Sequence, residues 1–125
     1  MKFNDLQPIY IQIMDYIKYL IIKGELKPLE KIPSVRDIAS ELKVNPNTVQ
    51  RSYQELDREG VIFAQRGLGN FVTENPEIID NLKNNKVDEI LNIFIEEISK
   101  LGINREESIK LLNESWDKHE KSIRN

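Results

Sequence analysis

The stretch KVNPNTVQRSYQELDREG, residues 43–60, gathers side chains that hydrogen-bond rather than react. At about 100° per residue, Val49, Tyr53 and Leu56 share one helical face, and Asn47, Arg51, Gln54 and Arg58 share the other. Thr48 and Gln50 fall on the flanks. A primary amide carries a donor beside an acceptor, the pattern of the major-groove edge of adenine; a guanidinium carries parallel donors that match guanine. A threonine can reach a phosphate or a thymine methyl. The acids Glu55, Asp57 and Glu59 all stand in the last turns, and no acid lies between Lys43 and Gln54. Such a helix can press its first half against a polyanion only if its acidic end leaves the groove. Arginines on an isolated helix are more simply a solvated face, so the surrounding elements must decide.

Other chemistry has little support. There is no cysteine, which excludes disulfides and thiolate-ligated zinc and fits a reducing compartment. His119 is the only histidine, on an acidic stretch, where a surface residue is expected rather than a metal ligand. The pairs Glu96–Glu97 and Glu106–Glu107 are adjacent, and adjacent helical residues point apart, so they make poor acid–base dyads. No serine or lysine is placed as an activated nucleophile. Tyr10, Tyr16, Tyr19 and Trp116 read as core or interface. The expectation is a protein that is not an enzyme and carries no cofactor.

The elements that would hold the polar helix follow from periodicity. Residues 8–23 predict a first helix, with Pro8 at its start, Gly24 past its end, and a stripe of Ile9, Ile13, Ile17, Leu20 and Ile21. A connector with Gly24, Pro28 and Pro33 leads to a second helix over 35–42. Ser34 and Asp37 form its capping box, and Val35, Ile38, Ala39 and Leu42 its buried face. The third helix opens with Asn45 as cap and Pro46 as first residue, and stops near Gly60. Val61–Gln65 and Asn70–Thr73, with Gly67 and Gly69 between them, predict a hairpin.

From Pro76 the period is helical again. Val87, Ile90, Leu91, Phe94, Ile95, Ile98 and Leu101 form an apolar stripe that ends at Gly102; Asn104 and Glu107 then cap a last helix. The architecture expected is mainly α with a small β-hairpin: residues 1–75 a winged helix-turn-helix domain, residues 76–125 a helical dimerisation tail. Two short helices joined by a tight turn are the helix-turn-helix unit, and its second helix enters the DNA major groove.

Charge bounds this reading. The net charge is −3; residues 1–76 hold ten basic and ten acidic residues, and residues 77–125 hold eight and eleven. DNA-binding domains usually show a basic footprint, so neutrality favours an alternative, a winged-helix protein-interaction module without DNA binding. The acid-free first half of the third helix and Arg66 in the hairpin turn favour DNA more strongly. Neither a signal peptide nor a membrane span is expected, since MKFNDLQP lacks a basic start with an apolar run and Gln12, Asp15 and Lys18 interrupt IYIQIMDYIKYLII.

The segments PIYIQIMDYIKYLIIKGELKP and KIPSVRDIASELKVNPNTVQRSYQELDREGVIFAQRGLGNFV run over residues 8–28 and 31–72, roughly residues 8–73 in all. They resemble the DNA-binding domain of the GntR family of bacterial transcription regulators. The short helical tail resembles the YtrA-type subfamily, whose members lack a large ligand-binding domain. The resemblance implies a cytoplasmic homodimer on a palindromic double-stranded operator, usually a repressor. The sequence locates no pocket and names no ligand; a small-molecule effector, if one exists, is expected near the dimer contact. Carried over by position, Arg36 falls where relatives touch phosphate or base, and Asn45, Asn47, Thr48, Gln50 and Arg51 fall where they read DNA. Arg66 and Gly67, with Gly69 beside them, fall at the wing tip, which in relatives enters the minor groove. Leu29 stands where the family's KPG turn usually has glycine. Pro46 and Asn47 stand where many relatives have arginine and threonine, so base preference does not carry over.

Overall fold

The structure, a computed structural model, describes residues 1–124. Its elements run α1 (Ile9–Ile22), α2 (Val35–Leu42), α3 (Pro46–Arg58), β1 (Ile62–Gln65), β2 (Gly69–Val72), α4 (Pro76–Lys100) and α5 (Arg105–Arg124). The chain forms two compact units, Met1–Asn84 and a second from Asn85 onward, and α4 begins in the first and continues into the second.

In the first unit the apolar stripes meet. Ile13 and Ile17 of α1, Ile38 of α2, and Val49, Tyr53 and Leu56 of α3 are buried together with Ile32, Val61, Ile62 and Val72. Fully burying side chains of this kind is worth roughly 1.5–3 kcal/mol each, which is why the periodicity of these short helices decides their orientation. Val35 and Leu42 of α2 lie partly buried against this core, and so do Ile78, Ile79 and Leu82 from the first turns of α4.

The caps set the helix starts. The Ser34 hydroxyl accepts the Asp37 N–H at 3.1 Å, and Asn45 Oδ1 accepts the Asn47 N–H at 2.8 Å. The turn between α2 and α3 closes through Lys43, whose φ of 58° is left-handed, and through the Val44 N–H to the Ala39 carbonyl at 3.0 Å. The wing is an antiparallel hairpin that pairs Phe63 with Phe71, their rings stacked at 5.7 Å. Lys31 bridges to Phe71 on the other edge of β2.

The connector before Lys31 forms its turn with leucine in place of glycine. Leu29 adopts φ 67°, the Glu30 N–H reaches the Lys27 carbonyl at 3.0 Å, and the Leu29 N–H reaches Val72 at 2.9 Å. Pro28 before a left-handed residue is the type II turn pattern. The hydrogen bond to β2 holds a conformation that costs a leucine about 1–2 kcal/mol.

Tyr53 ties the helix-turn-helix to its connector. Its hydroxyl donates to the Pro33 carbonyl at 2.7 Å, and the residue is 2% exposed. Burial, with Asp37 and Glu41 adding to it, raises the phenol pKa well above its ordinary value. Tyr53→Phe should therefore cost about 1–3 kcal/mol, because the Pro33 carbonyl loses its donor. Since the folded pKa is raised, the phenol's contribution is complete below about pH 10 and fades above it, as the unfolded chain ionises first. Urea unfolding at neutral and alkaline pH reads both effects; wild-type stability in the variant would mean that the bond contributes nothing.

Candidate nucleic-acid interface

The surface of α3 divides by depth. Val49, Ser52, Tyr53 and Leu56 face inward. Asn47, Gln50, Arg51, Gln54 and Arg58 are exposed, and Thr48 is half-buried at the flank. Pro46 occupies the first turn, where no intrahelical acceptor is needed for its missing N–H. The Asn45 side-chain oxygen is engaged in its cap, and the amide nitrogen is that side chain's donor group.

The acidic end of the helix is partly neutralised. Glu55 pairs with Arg58 at 3.2 Å, and Glu59 pairs with Lys18 of α1 at 3.1 Å. Arg58 thus belongs with the acids that it offsets, whereas the first two turns of α3 keep amide, hydroxyl and guanidinium groups without an adjoining carboxylate in sequence.

Arg51 has a partner that the sequence did not suggest. Its guanidinium carbon lies 3.8 Å from the centroid of the Tyr10 ring. Tyr10 sits one residue off the apolar stripe of α1, and an aromatic residue beside a stripe is the signal that could have pointed to a second contact. Next along α3, the Ser52 hydroxyl donates to the Tyr10 carbonyl at 2.8 Å.

Arg36 is exposed on the first turn of α2. Arg66 is exposed at the hairpin tip, where the Leu68 N–H closes onto the Gln65 carbonyl at 2.9 Å. Gly67 has φ 79° with open space where a Cβ would stand, so backbone conformation alone calls for glycine. Gly69 has φ 117°, and a Cβ there would sit 2.8 Å from Lys31 Cε. The Lys31 side chain therefore reaches Gly69 at the turn end of the wing and adds a cation there, one that no local sequence signal marks. Among the described residues, no group of histidines and acids is arranged to hold a metal, and no helix is long and apolar enough to cross a membrane.

The helix-turn-helix with its hairpin has known counterparts. A family model described as bacterial regulatory proteins, gntR family, matches residues 9–72. The chain is 43% identical over 109 residues to an uncharacterized HTH-type transcriptional regulator, YhcF of Bacillus subtilis, covering 87% of this chain and 90% of that protein. It is 50% identical over 68 residues to the HTH-type transcriptional repressor YtrA of Bacillus subtilis, covering 54% of this chain and 52% of that one. Among solved structures, a GntR family transcriptional regulator from Listeria monocytogenes superposes with a TM-score of 0.86 at 41% identity, over 90% of this chain and 98% of that chain. The DNA-binding domain of AraR in complex with operator ORX1 superposes with a TM-score of 0.54 at 25% identity, over 58% of this chain and 93% of that chain.

Proposed function

The chain belongs to the gntR family of bacterial regulatory proteins, and from that premise we propose that it represses transcription as a homodimer seated on a two-fold symmetric operator. It is a DNA-binding transcription regulator built on a winged helix-turn-helix, with a short helical tail of the YtrA type. The observation that carries the proposal is the outward face of the first half of α3, where Asn47, Gln50, Arg51 and Gln54 are exposed and no acid interrupts them. In this reading Asn47 and Arg51 touch base edges and Thr48 and Gln50 support them. Asn45, with Arg36, contributes at the phosphates, and Arg66 enters the minor groove from a wing tip shaped by Gly67 and Gly69.

A dimer supplies what a neutral domain lacks. In the second unit, Ile90, Leu91 and Ile95 of α4 and Ile109, Leu112 and Trp116 of α5 remain exposed around an apolar groove of about 640 Å³. Contiguous apolar surface of this kind marks an interaction site, and a second copy of the chain offers the same surface. Two-fold symmetry then places the two α3 helices one DNA turn apart, or a multiple of it. The protein works where the chromosome is, in the cytoplasm, and no chemistry of an enzyme is assigned to it.

A mobility shift on DNA from the promoter of its own gene, against a shuffled duplex of equal length, tests the function. A shift specific to the promoter is expected; no shift on any duplex would favour a protein-interaction module. Arg36 and Arg66 are expected to act through charge. Losing one phosphate contact lowers the salt slope by about 0.9, counted twice in a dimer. Arg66→Ala with an unchanged slope would leave the wing tip in solvent.

A further inference from the structure

We infer that Tyr10 is a positioning residue for DNA recognition: its ring on α1 holds the Arg51 guanidinium at the angle from which Arg51 meets DNA. The inference rests on the DNA-binding reading above. The guanidinium carbon stands 3.8 Å over the ring centroid, the distance of direct stacking on the π face. The platform is itself anchored. The buried Ser52 hydroxyl shares its one proton between the Tyr10 carbonyl at 2.8 Å and the Thr48 carbonyl at 3.1 Å, which ties the backbone under the ring to α3 one residue beyond Arg51.

The segment that enters α1 is fixed as well. Gln12 is buried; its amide nitrogen donates to the carbonyls of Asn4 at 2.9 Å and Gln7 at 2.8 Å, and its oxygen accepts the Asn4 N–H at 3.0 Å. Glu55, four residues after Arg51 and the usual helical partner for it, is engaged by Arg58 at 3.2 Å.

The chemistry follows from the kind of partner. A carboxylate that pairs with an arginine occupies two of its five in-plane donors and cancels its charge. An aromatic face occupies none of them. A stacked guanidinium keeps its rim of N–H groups for a phosphate or a guanine edge, and its side chain has surrendered rotamer freedom before DNA arrives. Tyr10 thus strengthens binding without touching DNA.

The test uses a duplex that the wild-type full-length chain selects from a random pool, with dissociation constants read by fluorescence anisotropy and thermal unfolding measured on each variant. Tyr10→Phe keeps the ring and should bind within about 2-fold of wild type. Tyr10→Leu should bind about 5- to 25-fold more weakly, an exposed stacking contact being lost in both protomers. In an Arg51→Ala background, Tyr10→Leu should change affinity by less than about 2-fold. Equal weakening in both backgrounds would show that the ring acts through the fold and overturn the inference; so would wild-type affinity in Tyr10→Leu. Should Tyr10→Leu not fold, progressively fluorinated phenylalanines at position 10 preserve shape while weakening the ring's negative face. Affinity falling step by step supports the platform, and a flat series overturns it. A wild-type chain that selects no duplex defeats the DNA reading instead, and the inference with it.

Discussion

Ending the chain at Asn84 should leave a folded monomer that binds a two-half-site duplex about 100- to 10,000-fold more weakly than the full chain. The cut is chosen from the packing. Ile78, Ile79 and Leu82 lie against the core of the first unit, so a chain ended at Asn75 would lose apolar cover as well as the tail. The residues from Asn85 onward form their own compact unit. Within it Ser108 is buried, and its hydroxyl donates to the Asn104 carbonyl at 2.7 Å, while Ile90, Ile95, Ile109 and Trp116 are each at least half exposed. Covering side chains of this size contributes up to about 1.5–3 kcal/mol each. That is ample for association in the full chain, and the fragment lacks it. Linked half-site contacts become one bimolecular event followed by an intramolecular one, which is where the lost factor comes from. Sedimentation gives the mass, and anisotropy on the same duplex gives the affinity. A fragment that stays dimeric, or a monomer that binds as tightly as the full chain, would sink the assignment of dimerisation to the tail.

The helix starts are legible in the sequence because their physics is local. Ser34, Asn45 and Asn104 each stand at a helix start and accept a backbone N–H there, and a cap needs only its own next three residues. The glycines of the wing and the β-branched and aromatic residues of β1 and β2 are likewise short-range signals. Long-range pairings had no such signature. Arg51 over Tyr10 spans α3 and α1, and Lys18 to Glu59 joins residues 41 apart. A helical wheel gives the direction in which Arg51 leaves α3 but not what stands there. The wheel likewise places Arg58 outward but carries no sign that Glu55 takes it up. Nothing in the connector signals a bridge from Lys31 to β2; only the folded register lays it across Gly69. The switch from one unit to the next inside α4 is equally silent, since one helical period continues across it.

Asn47→Ala should relax sequence preference at one base pair in each half-site and leave the others unchanged. Asn47 is the second residue of α3, and its exposed amide stands on the same outward face as Arg51 and Gln54. Its backbone N–H is held by Asn45 at 2.8 Å, a bond that alanine keeps, and Pro46 still starts the helix. The substitution therefore removes the amide and little else. A bidentate amide–adenine pair discriminates by ~1–3 kcal/mol, so a dimer that loses it twice forfeits ~2–6 kcal/mol against the wrong base at that position. The measurement is affinity for the selected duplex and for symmetric single-base variants of it, with wild type and Asn47→Ala side by side at one salt concentration. Wild type should show a steep penalty at one position, and the variant a flat response there with the other positions retained. Asn47→Asp gives the complementary result: a carboxylate cannot donate and faces the phosphates, so it should weaken binding to every duplex. If Asn47→Ala instead weakens all sequences equally, the amide touches backbone alone and base readout must lie with Gln50, Arg51 or Gln54.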